Sequence, residues 1–482
     1  MDDTTVQLKK IVHLSVAERR ALGKERRAAV PRASHAVFKP AADRPDPVAL
    51  LEEQNADREA DLVPVRHGRM LVSPFTFYRG TAKIMATDLK DTPRAGLNAQ
   101  LCGDAHLSNF GLFASPERTL LFDLNDFDET LPGPFEYDVK RLAASITIAA
   151  RNNGFGKDDT RECTLESVRA YRTAMAEFAE MRVMDIWYAR YAEQDVLDDI
   201  HRLEAEAKGM TKAEARRRAK RVEDIVARAH TRDSVQALVK LGEVVDGKYR
   251  IVHQYPVIVP ARELHAAYGI SSDELEHIIR EQFRAYRATL QPDRRHLLEQ
   301  FQIVDMARKV VGVGSVGTRA FIVLLQGRDE DDPLFLQVKG ATRSVLEDHL
   351  PKSRFAQSGE RVVQGQRLMQ AASDIYLGWT RGRREGTYLY WRQLRDMKGS
   401  VEVELMRPLG LRYYAGLCGW SLARAHARSG DSVAISAYLG KGDAFDEAVA
   451  DFSKRYADQT EKDYEAFVGA VRAGRLEALE GV

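Results

Sequence analysis

The spacing of apolar and polar residues divides the chain into helical zones around one β-rich zone. Apolar residues recur every three or four positions after Tyr137, which predicts a helix that stops at Asn152-Asn153-Gly154. Residues 160–235 are predicted to be mostly amphipathic helix, and a further helix ends at Gln291-Pro292. Between residues 301 and 396, runs of Val, Ile and Phe are broken by glycines and an acidic turn, as is typical of strands.

The remaining segments complete the predicted organisation. Residues 1–70 mix short helical patterns with charged and proline-containing stretches, which predicts a wrapping arm rather than a separate domain. Two apolar runs, Leu97–Phe113 and Leu120–Asp126, end in polar turns, as expected of strand–loop–strand. The tail from Arg412 predicts a helix of small and aromatic residues followed by amphipathic helix. The predicted fold class is α+β, with the regions 1–95, 96–295, 296–400 and 401–482.

Composition and charge narrow the classes of function. The 482 residues carry 72 Lys plus Arg against 71 Asp plus Glu, a net charge of +1, which argues against a dedicated nucleic-acid binder. The basic stretch around Arg216–Arg221 is flanked by acidic residues and is predicted to be a solvated helix with internal ion pairs. The cysteines Cys102, Cys163 and Cys418 suggest neither a disulfide framework nor a C-x-x-C metal pair. Because the chain shows no signal-like N-terminus and no apolar run of ~18 residues, we expect a cytoplasmic protein without a membrane partner.

A glycine-rich segment opens the β-rich zone. Gly312-Val-Gly314-Ser315-Val-Gly317 has the spacing of the dinucleotide-binding pattern, but that pattern requires a helix after the glycines. The following Thr-Arg-Ala-Phe-Ile-Val-Leu-Leu instead predicts a second strand, and therefore a glycine-rich hairpin. In kinases, such a hairpin lets backbone N–H groups close over the phosphates of ATP. We therefore expect the 312–317 backbone to cover a nucleotide.

A kinase-like nucleotide site also needs a lysine on the next strand and a helical glutamate that orients this lysine. Lys339 lies in the strand-like run PLFLQVKGA, and the helical segment GERVVQGQRLMQ supplies Glu360, with Glu347 as the nearer alternative. Residues Tyr390–Leu394, which include Gln393, come after the last predicted strand and are expected to meet the adenine as a hinge. These residues predict the ATP-binding half of a site.

The other half of such a site lies upstream in the chain. Asp104 and Asn109 are five residues apart, which is the spacing of a kinase catalytic loop, and Asp126-Phe127 follows an apolar strand as an Asp-Phe-Gly motif does. The spacing argues against a calcium loop that begins at Asp123, because its sixth position is not glycine and its twelfth is Pro134. Acidic residues crowded on one short loop repel one another unless a cation neutralises them; these residues are Asp123, Asp126, Asp128 and Glu129.

These motifs resemble those of known phosphotransferases. GDAHLSN resembles the catalytic loop of aminoglycoside phosphotransferases and choline kinases, GPFEYDVKRLAAS resembles their following segment, and WSLARAHARSG resembles the helix that leads into the loop. Cys102 stands where these kinases usually have His, and Asp128 replaces the glycine of Asp-Phe-Gly. Over most of its length the chain also resembles the uncharacterised bacterial domain-of-unknown-function 2252 family, through GDAHLxNFG, FDxNDFDE and GERVVxGQRLMQ.

The order of the motifs is reversed relative to an ordinary kinase. The catalytic part, 104–128, precedes the nucleotide-binding part, 312–396, which implies a circular permutation between the LARAHARSG helix and the GDAHLSN loop. The resemblance therefore implies a protein-kinase-like two-lobed fold, circularly permuted, with large helical additions. It also predicts that residues 431–482 and 1–95 pack on the same side of the catalytic lobe.

The resemblance also implies a role for each motif residue. Asp104 is expected to orient or deprotonate the acceptor hydroxyl. Asn109 and Asp126 are expected to hold Mg²⁺, with Asp128 as an additional ligand. Lys339 is expected to steady the phosphates of ATP. The predicted cofactors are therefore ATP and Mg²⁺.

Three further residues have two interpretations each. His106 is expected to be structural, with a direct role as the alternative, and Arg79 and Arg319 either touch phosphate or substrate or form buried ion pairs.

The predicted function is an ATP- and Mg²⁺-dependent phosphotransferase that acts on a hydroxyl of a small molecule. The alternatives are a protein kinase or AMP transferase with the same fold, and a nucleotide-binding pseudokinase that acts as a scaffold or sensor.

Overall fold

A computed structural model gives the fold of the chain. It describes residues 12–205, 220, 223–224, 226–232, 234–245, 248–264, 269, 271–310, 312–394, 397, 399 and 401–481. Apart from Lys220, the basic stretch Arg216–Arg221 lies outside the described residues, so its helix stays a prediction. In the described part of the chain, no helix combines the length and the apolar character needed to cross a membrane.

Residues 12–95, called the N-terminal arm from here on, contain five α-helices. Ser15 caps the first helix through a capping box with Glu18, and Ser73 caps the fourth, which has Pro74 in its first turn. The helices α1 to α5 span Val16–Ala29, Pro47–Asn55, Val63–Leu71, Pro74–Tyr78 and Ala82–Leu89.

Longer helices form the body of the molecule. Helices α6 to α9 span Glu136–Asn152, Lys157–Glu180, Val183–Tyr188 and Glu193–Ala205. Helices α10 to α14 span Ser234–Leu241, Ala261–Leu264, Ser272–Arg287, Pro292–Leu298 and Ser358–Met369. Helices α15 to α17 span Pro408–Ala427, Ser432–Leu439 and Ala444–Arg472. The helix predicted to stop at Asn152-Asn153-Gly154 is confirmed.

The main hydrophobic core lies among α6, α7 and α15 and the strands that pack on them. Residues 136–150 of α6 are all buried. Helices α7 and α15 approach so closely that a Cβ on Gly419 would lie 2.1 Å from the carbonyl oxygen of Ser167. Glycine is therefore required at this crossing, because any side chain there would collide with the backbone of α7.

Two short two-stranded antiparallel sheets carry the predicted strand–loop–strand segments. Strand β1 pairs with β4, and β2 and β3 form a hairpin between them in the sequence. The four strands are Asn98–Leu101, Phe110–Ala114, Leu120–Leu124 and Leu131–Pro134. The loop after β1 contains Asp104, and the loop after β3 contains Asp126. The two small sheets thus place the two predicted acidic motifs beside the helical body.

A six-stranded antiparallel sheet forms the β-rich region, so the fold is α+β as predicted. Strands β5 to β12 span Gly242–Val245, Lys248–Ile251, Ile258–Pro260, Gln302–Lys309, Ala320–Gln326, Pro333–Ala341, Gly378–Arg381 and Tyr388–Gln393. The sheet order is β11-β12-β10-β9-β8-β7, and β5 and β6 form a separate hairpin. Residues 312–317, called the glycine segment from here on, lie between β8 and β9. Lys339 lies on β10 opposite Ala320 and Tyr390.

The two ends of the chain pack together on one side of the helical body. Helix α1 packs on α16, and α17 contacts α2, α4 and α6. Arg44 binds the carboxylates of Asp88 and Asp463, each at 2.6 Å. This packing agrees with the prediction that residues 431–482 and 1–95 lie on the same side.

Candidate functional site

A cavity of about 780 Å³ lies between the sheet, the loops after β1 and β3, and the N-terminal arm. This volume is within the ~300–1,000 Å³ typical of small-molecule sites. Its walls bring together residues that the sequence places in two distant parts of the chain. The predicted residues that line the cavity are Arg79, Asp104, His106, Asn109, Asp126, Asp128, Gly312, Gly314, Ser315 and Arg319.

The buried carboxylate of Asp138 fixes the loop that carries Asp104. Its two oxygens accept the backbone N–H groups of Cys102 at 2.6 Å and of Gly103 at 2.9 Å. Gly103 has φ +84°, a conformation that favours glycine. Further along the loop, the side-chain amide of Asn109 donates to the main-chain oxygen of Asp104 at 2.7 Å. These contacts close the loop on itself and hold Asp104 at the cavity wall.

Arg141 holds the carboxylate of Asp104. Its Nε and Nη2 lie 2.8 and 2.7 Å from Oδ1 of Asp104. Burial raises the pKa of Asp104, and Arg141 opposes this shift. Nε2 of His106 lies 3.8 Å from Oδ2 of Asp104. Burial, followed by the charges of Arg141 and Arg79, keeps the pKa of His106 well below its usual value, so its ring is neutral at pH 7.

Lys339 reaches from the sheet to two carboxylates in the loop after β3. Its Nζ lies 2.6 Å from Oδ2 of Asp128 and 3.5 Å from Oδ2 of Asp126. The hydroxyl of Tyr390 donates to Oδ1 of Asp128 at 2.6 Å. Because Lys339 and Tyr390 are opposite each other on β10 and β12, the strand register places both groups beside the same carboxylate.

The two carboxylates of this loop differ in their pKa. Burial raises the pKa of Asp126, and the charge of Asp128 adds to the rise. Burial acts in the same direction on Asp128, but the charge of Lys339 and the hydrogen bonds from Lys339 and Tyr390 outweigh it, so the pKa of Asp128 is lowered. Burial by itself lowers the pKa of Lys339, but the charges of Asp126 and Asp128 outweigh burial, so the pKa is raised overall. Lys339 and Asp128 therefore form an ion pair at pH 7.

The donor groups of the cavity suit a magnesium ion that arrives with a phosphate-bearing substrate. Among the residues that the structure describes, no group of three or more His, Cys, Asp or Glu side chains is arranged to hold a metal. Mg²⁺ is commonly bound through one or two carboxylates together with substrate phosphates and water. Asn109, Asp126 and Asp128 line the cavity together and offer the oxygen ligands that this mode of binding needs.

The glycine segment is attached to the N-terminal arm. The backbone N–H of Glu59 donates to the carbonyl oxygen of Gly317 at 2.8 Å. Nη1 of Arg69 donates to the carbonyl oxygen of Gly312 at 2.5 Å. Gly312 and Gly317 have φ +64° and +81°. Gly314 and Ser315 line the cavity, whereas Gly317 contacts the arm and does not line it.

The prediction that Glu360 orients Lys339 is wrong. Lys339 is paired with the carboxylates of the loop after β3, and neither Glu360 nor its alternative Glu347 forms an ion pair with it. Neighbouring residues on an α-helix point about 100° apart. The next residue of α14, Arg361, takes the inward position, where its guanidinium binds the main-chain oxygens of Asp128, Thr130 and Thr342.

The prediction of a hinge at Tyr390–Leu394 is also wrong, because no residue of this range, Gln393 and Leu394 included, lines the cavity. Strand β12 runs antiparallel to β10, with Leu389 opposite Gly340. The beginning of β12 therefore reaches the cavity, and the residues that line it there are Tyr388 and Leu389. Gln393 and Leu394 lie at the far end of the same strand, one strand length away.

A family comparison covers most of the chain. The family described as an uncharacterized protein conserved in bacteria (DUF2252) matches residues 58–470. The chain belongs to this family. No curated protein and no solved structure matches the chain. The DUF2252 region begins at Arg58 and includes the Asp104 loop, Lys339 and nearly all of the cavity wall.

Several residues that build the site of this DUF2252 protein were missed by the sequence analysis. Arg58 and Lys83 enter the cavity from the arm, and Arg343 enters it from the segment after β10. Arg141 holds Asp104 by hydrogen bonds and was not predicted as a site residue either. Tyr390 belongs to the predicted hinge, but its hydroxyl donates to Asp128 instead. The strand register could have revealed this role, whereas Arg58 is remote in sequence from every motif.

The C-terminal half of the DUF2252 region supports both acidic loops. Arg424 of α15 binds the two carboxylate oxygens of Asp123 at 2.5 and 2.6 Å, and both side chains are 1% exposed. Just beyond the end of α15, the hydroxyl of Ser429 accepts the backbone N–H of Gln100 on β1 at 3.0 Å. Helix α15 therefore ends beside the strand that leads into the Asp104 loop.

Proposed function

We propose that this DUF2252 protein is an ATP- and Mg²⁺-dependent phosphotransferase that acts on a hydroxyl group of a small molecule. The proposal is carried by the contact of Lys339 with Asp126 and Asp128, beside a cavity that Asp104 and the glycine segment also line. Phosphoryl transfer needs a cation for the phosphates, oxygen ligands for Mg²⁺ and a carboxylate near the acceptor. Asp104, Asp126 and Asp128 line the cavity, and Lys339, which does not line it itself, contacts the last two from behind the wall.

We also propose a protein-kinase-like two-lobed fold in circularly permuted order. The glycine segment joins the first two strands of the β8-β9-β10 meander, and Lys339 lies on the third, as in the nucleotide-binding lobe of a kinase. The contact between Ser429 and Gln100 supports the position of the break, since a chain of ordinary order would pass from α15 directly into β1 at this point.

In the proposed reaction, Asp104 acts on the acceptor hydroxyl. The hydroxyl oxygen forms a bond to the γ-phosphorus of ATP, the bond from that phosphorus to the β–γ bridging oxygen breaks, and ADP leaves with the electron pair. The proton of the hydroxyl passes to Asp104, and Arg141 keeps this carboxylate oriented through its contacts at 2.7 and 2.8 Å. Bound magnesium supplies charge neutralisation at the phosphate oxygens.

The N-terminal arm favours a small acceptor over a protein acceptor. Glu53, Arg58, Arg79 and Lys83 of the arm form part of the cavity wall. A protein kinase needs an open groove in which a polypeptide segment can lie next to the catalytic carboxylate. Here the arm occupies one side of the cavity, and the volume of about 780 Å³ that remains suits a metabolite.

Nucleotide binding and turnover can be tested separately. The midpoint temperature of unfolding should rise more with ATP plus Mg²⁺ than with ATP alone, because only the native state binds the complex. Turnover of ATP should then be measured against a panel of hydroxyl-containing metabolites. Asp104→Asn should lower turnover by about 10²–10⁴-fold, as expected when a positioned acid–base group is lost.

The matched control for this experiment is Asp185→Asn. Asp185 lies on the surface in an ion pair with Arg182 and does not line the cavity, so its change should leave turnover unaltered. Equal turnover by Asp104→Asn and the wild type would show that Asp104 has no catalytic role. Binding of ATP without turnover would favour a pseudokinase, and mass spectrometry of the product separates added phosphate from added AMP.

A further inference from the structure

Cationic side chains from several parts of the chain line the cavity, and two of them are neutralised by carboxylates. Nζ of Lys83 lies 2.5 Å from Oε1 of Glu53 and 3.5 Å from Oδ2 of Asp348. Arg343 also pairs with Asp348. The cations that line the cavity are Arg58, Arg79, Lys83, Arg319 and Arg343.

Lys83 and Arg343 are thus paired. In contrast, Arg58, Arg79 and Arg319 have no ion-pair partner within the described part of the chain. The Nε atoms of Arg58 and Arg79 are buried and have no hydrogen-bond partner there. A guanidinium removed from water without a carboxylate is costly. Burial accordingly lowers the pKa of Arg58 to about 10 and lowers that of Arg79 as well. Anionic ligands in the cavity would supply the missing partners.

Arg58 and Arg319 belong to the side of the cavity formed by the glycine segment. The guanidinium of Arg58 donates to the carbonyl oxygen of Val316, inside that segment. The main-chain oxygen of Arg319 accepts the backbone N–H of Gly340 at 2.7 Å, next to Lys339 on β10. Both arginines therefore face the part of the cavity that the proposed function assigns to the phosphates of ATP.

Arg79 lies where the Asp104 loop meets the glycine segment, since a Cβ on Gly314 would be 3.1 Å from the main-chain oxygen of Arg79. It follows helix α4 and lines the cavity together with Asp104 and His106. The charges of Arg79 and Asp104 shift each other's pKa, and the charge of Arg79 lowers the pKa of His106, so the three groups are close neighbours. The carboxylate whose charge acts most on Arg79 is that of Glu404, but no ion pair joins these two side chains. Because Asp104 is bound by Arg141, the guanidinium of Arg79 remains available to a ligand.

We propose that the acceptor is an anionic hydroxyl compound, whose phosphate or carboxylate group binds to Arg79 while its hydroxyl faces Asp104. A planar guanidinium binds either kind of group through two parallel hydrogen bonds. The neutral ring of His106 adds hydrogen-bonding capacity beside it without adding charge. This inference rests on the proposed phosphotransferase function, and it narrows the acceptor from any small alcohol to a hydroxylated acid or phosphate ester.

The test measures binding of inorganic phosphate to the full-length protein, saturated with Mg²⁺ and a non-hydrolysable ATP analogue. The nucleotide then occupies the side of Arg58 and Arg319, so phosphate reports on the second anion site. Arg79→Gln should weaken phosphate binding by about tenfold or more, the equivalent of ~1.4 kcal/mol, while affinity for the analogue changes by less than about twofold. Arg79→Lys should bind phosphate with intermediate affinity, which loss of the fold would not produce.

The control for charge alone is Arg182→Gln, because Arg182 is 87% exposed and lies outside the cavity. This variant should bind phosphate as the wild type does. Competition between phosphate and the analogue, or equal weakening of both by Arg79→Gln, would assign Arg79 to the nucleotide and overturn the inference. Absence of phosphate binding by the wild type would overturn it too. If phosphate binding depends on Arg79 but no nucleotide binds, the anion site stands and the proposed phosphotransferase function fails.

Turnover with a panel of hydroxyl-containing metabolites then shows whether the anionic group of the acceptor is a phosphate or a carboxylate. Turnover of ATP should be stimulated by sugar phosphates or by hydroxy acids, and this stimulation should fall in Arg79→Gln. Stimulation by neutral sugars and alcohols alone would contradict the inference. A response to sugar phosphates but not to hydroxy acids assigns a phosphate group to Arg79, and the opposite response assigns a carboxylate.

Discussion

Nζ of Lys339 lies 2.6 Å from Oδ2 of Asp128, although 211 residues separate them in the sequence. The lysine side chain is 2% exposed and the aspartate side chain 28% exposed. The contact joins the six-stranded sheet to a loop of the helical body. It is therefore both a link between the two parts of the molecule and the centre of the candidate site.

Lys339→Met should destabilise the protein at pH 7. The change leaves Asp126 and Asp128 without their cation, and breaking a buried ion pair costs about 3–5 kcal/mol. Since Asp128 is partly exposed, we expect the lower end of this range in the free energy of unfolding, measured in urea. Adding Asp128→Asn should recover part of the loss, because it removes the uncompensated charge. A double variant no more stable than Lys339→Met would contradict this account.

Gly103→Ala should cost more stability than Gly154→Ala. Gly103 and Gly154 have φ +84° and +75°, so each change costs about 1–2 kcal/mol for a left-handed backbone conformation. A Cβ at Gly103 would lie 2.3 Å from the carbonyl oxygen of Glu129, whereas nothing lies within 4 Å of one at Gly154. Gly103→Ala should therefore lose about 1–3 kcal/mol more through overpacking. Equal midpoint temperatures for the two variants would show that the loop can relax.

Arg424→Met should be among the most destabilising single changes in the helical body. Arg424 and Asp123 are both 1% exposed, and loss of the guanidinium leaves a buried carboxylate, at a cost of about 3–5 kcal/mol. The matched control is Arg182→Met, which breaks the surface pair with Asp185 and should cost less than about 1 kcal/mol. Urea unfolding of both variants measures the difference. Similar losses would show that Asp123 finds another partner.

Glu129 should make stability fall as the pH rises towards neutrality. Burial raises the pKa of Glu129 to about 7, above the value of ~4.3 for an unfolded glutamate. Between these values the folded chain binds the proton more tightly, so this residue's contribution decreases the free energy of unfolding as the pH rises. Glu129→Gln should therefore gain stability relative to the wild type between about pH 4.5 and 7, by the order of 1–3 kcal/mol. A difference between the two proteins that does not change with pH would contradict the prediction.

The parts of the site that could be predicted are those set by local sequence. The spacing of Asp104 and Asn109, the Asp126-Phe127 pair and a lysine on the strand after the glycine segment each belong to one short motif. Burial against neighbouring strands and helices then fixes where each motif lies. The structure places these motifs around one cavity because the loops after β1 and β3 face the same end of the sheet.

The wrong predictions depend on orientation, which a single sequence does not specify. Glu360 is one position from Arg361, and a rotation of about 100° decides which of them faces the site. Gln393 is in the correct strand, but its end of the strand points away from the cavity. Arg58 and Lys83, which no motif predicted, line the cavity from the N-terminal arm beside the predicted Arg79. Only long-range packing places that arm there.

Arg44 joins two segments that are far apart in the sequence. It binds Asp88 of α5 and Asp463 of α17, which is 419 positions later in the chain. Because a ribosome releases the first residues of a chain long before the later ones, this contact forms only after Asp463 has been synthesised. The packing of the N-terminal segment against α17 is therefore completed late, after the sheet and both acidic loops have left the ribosome.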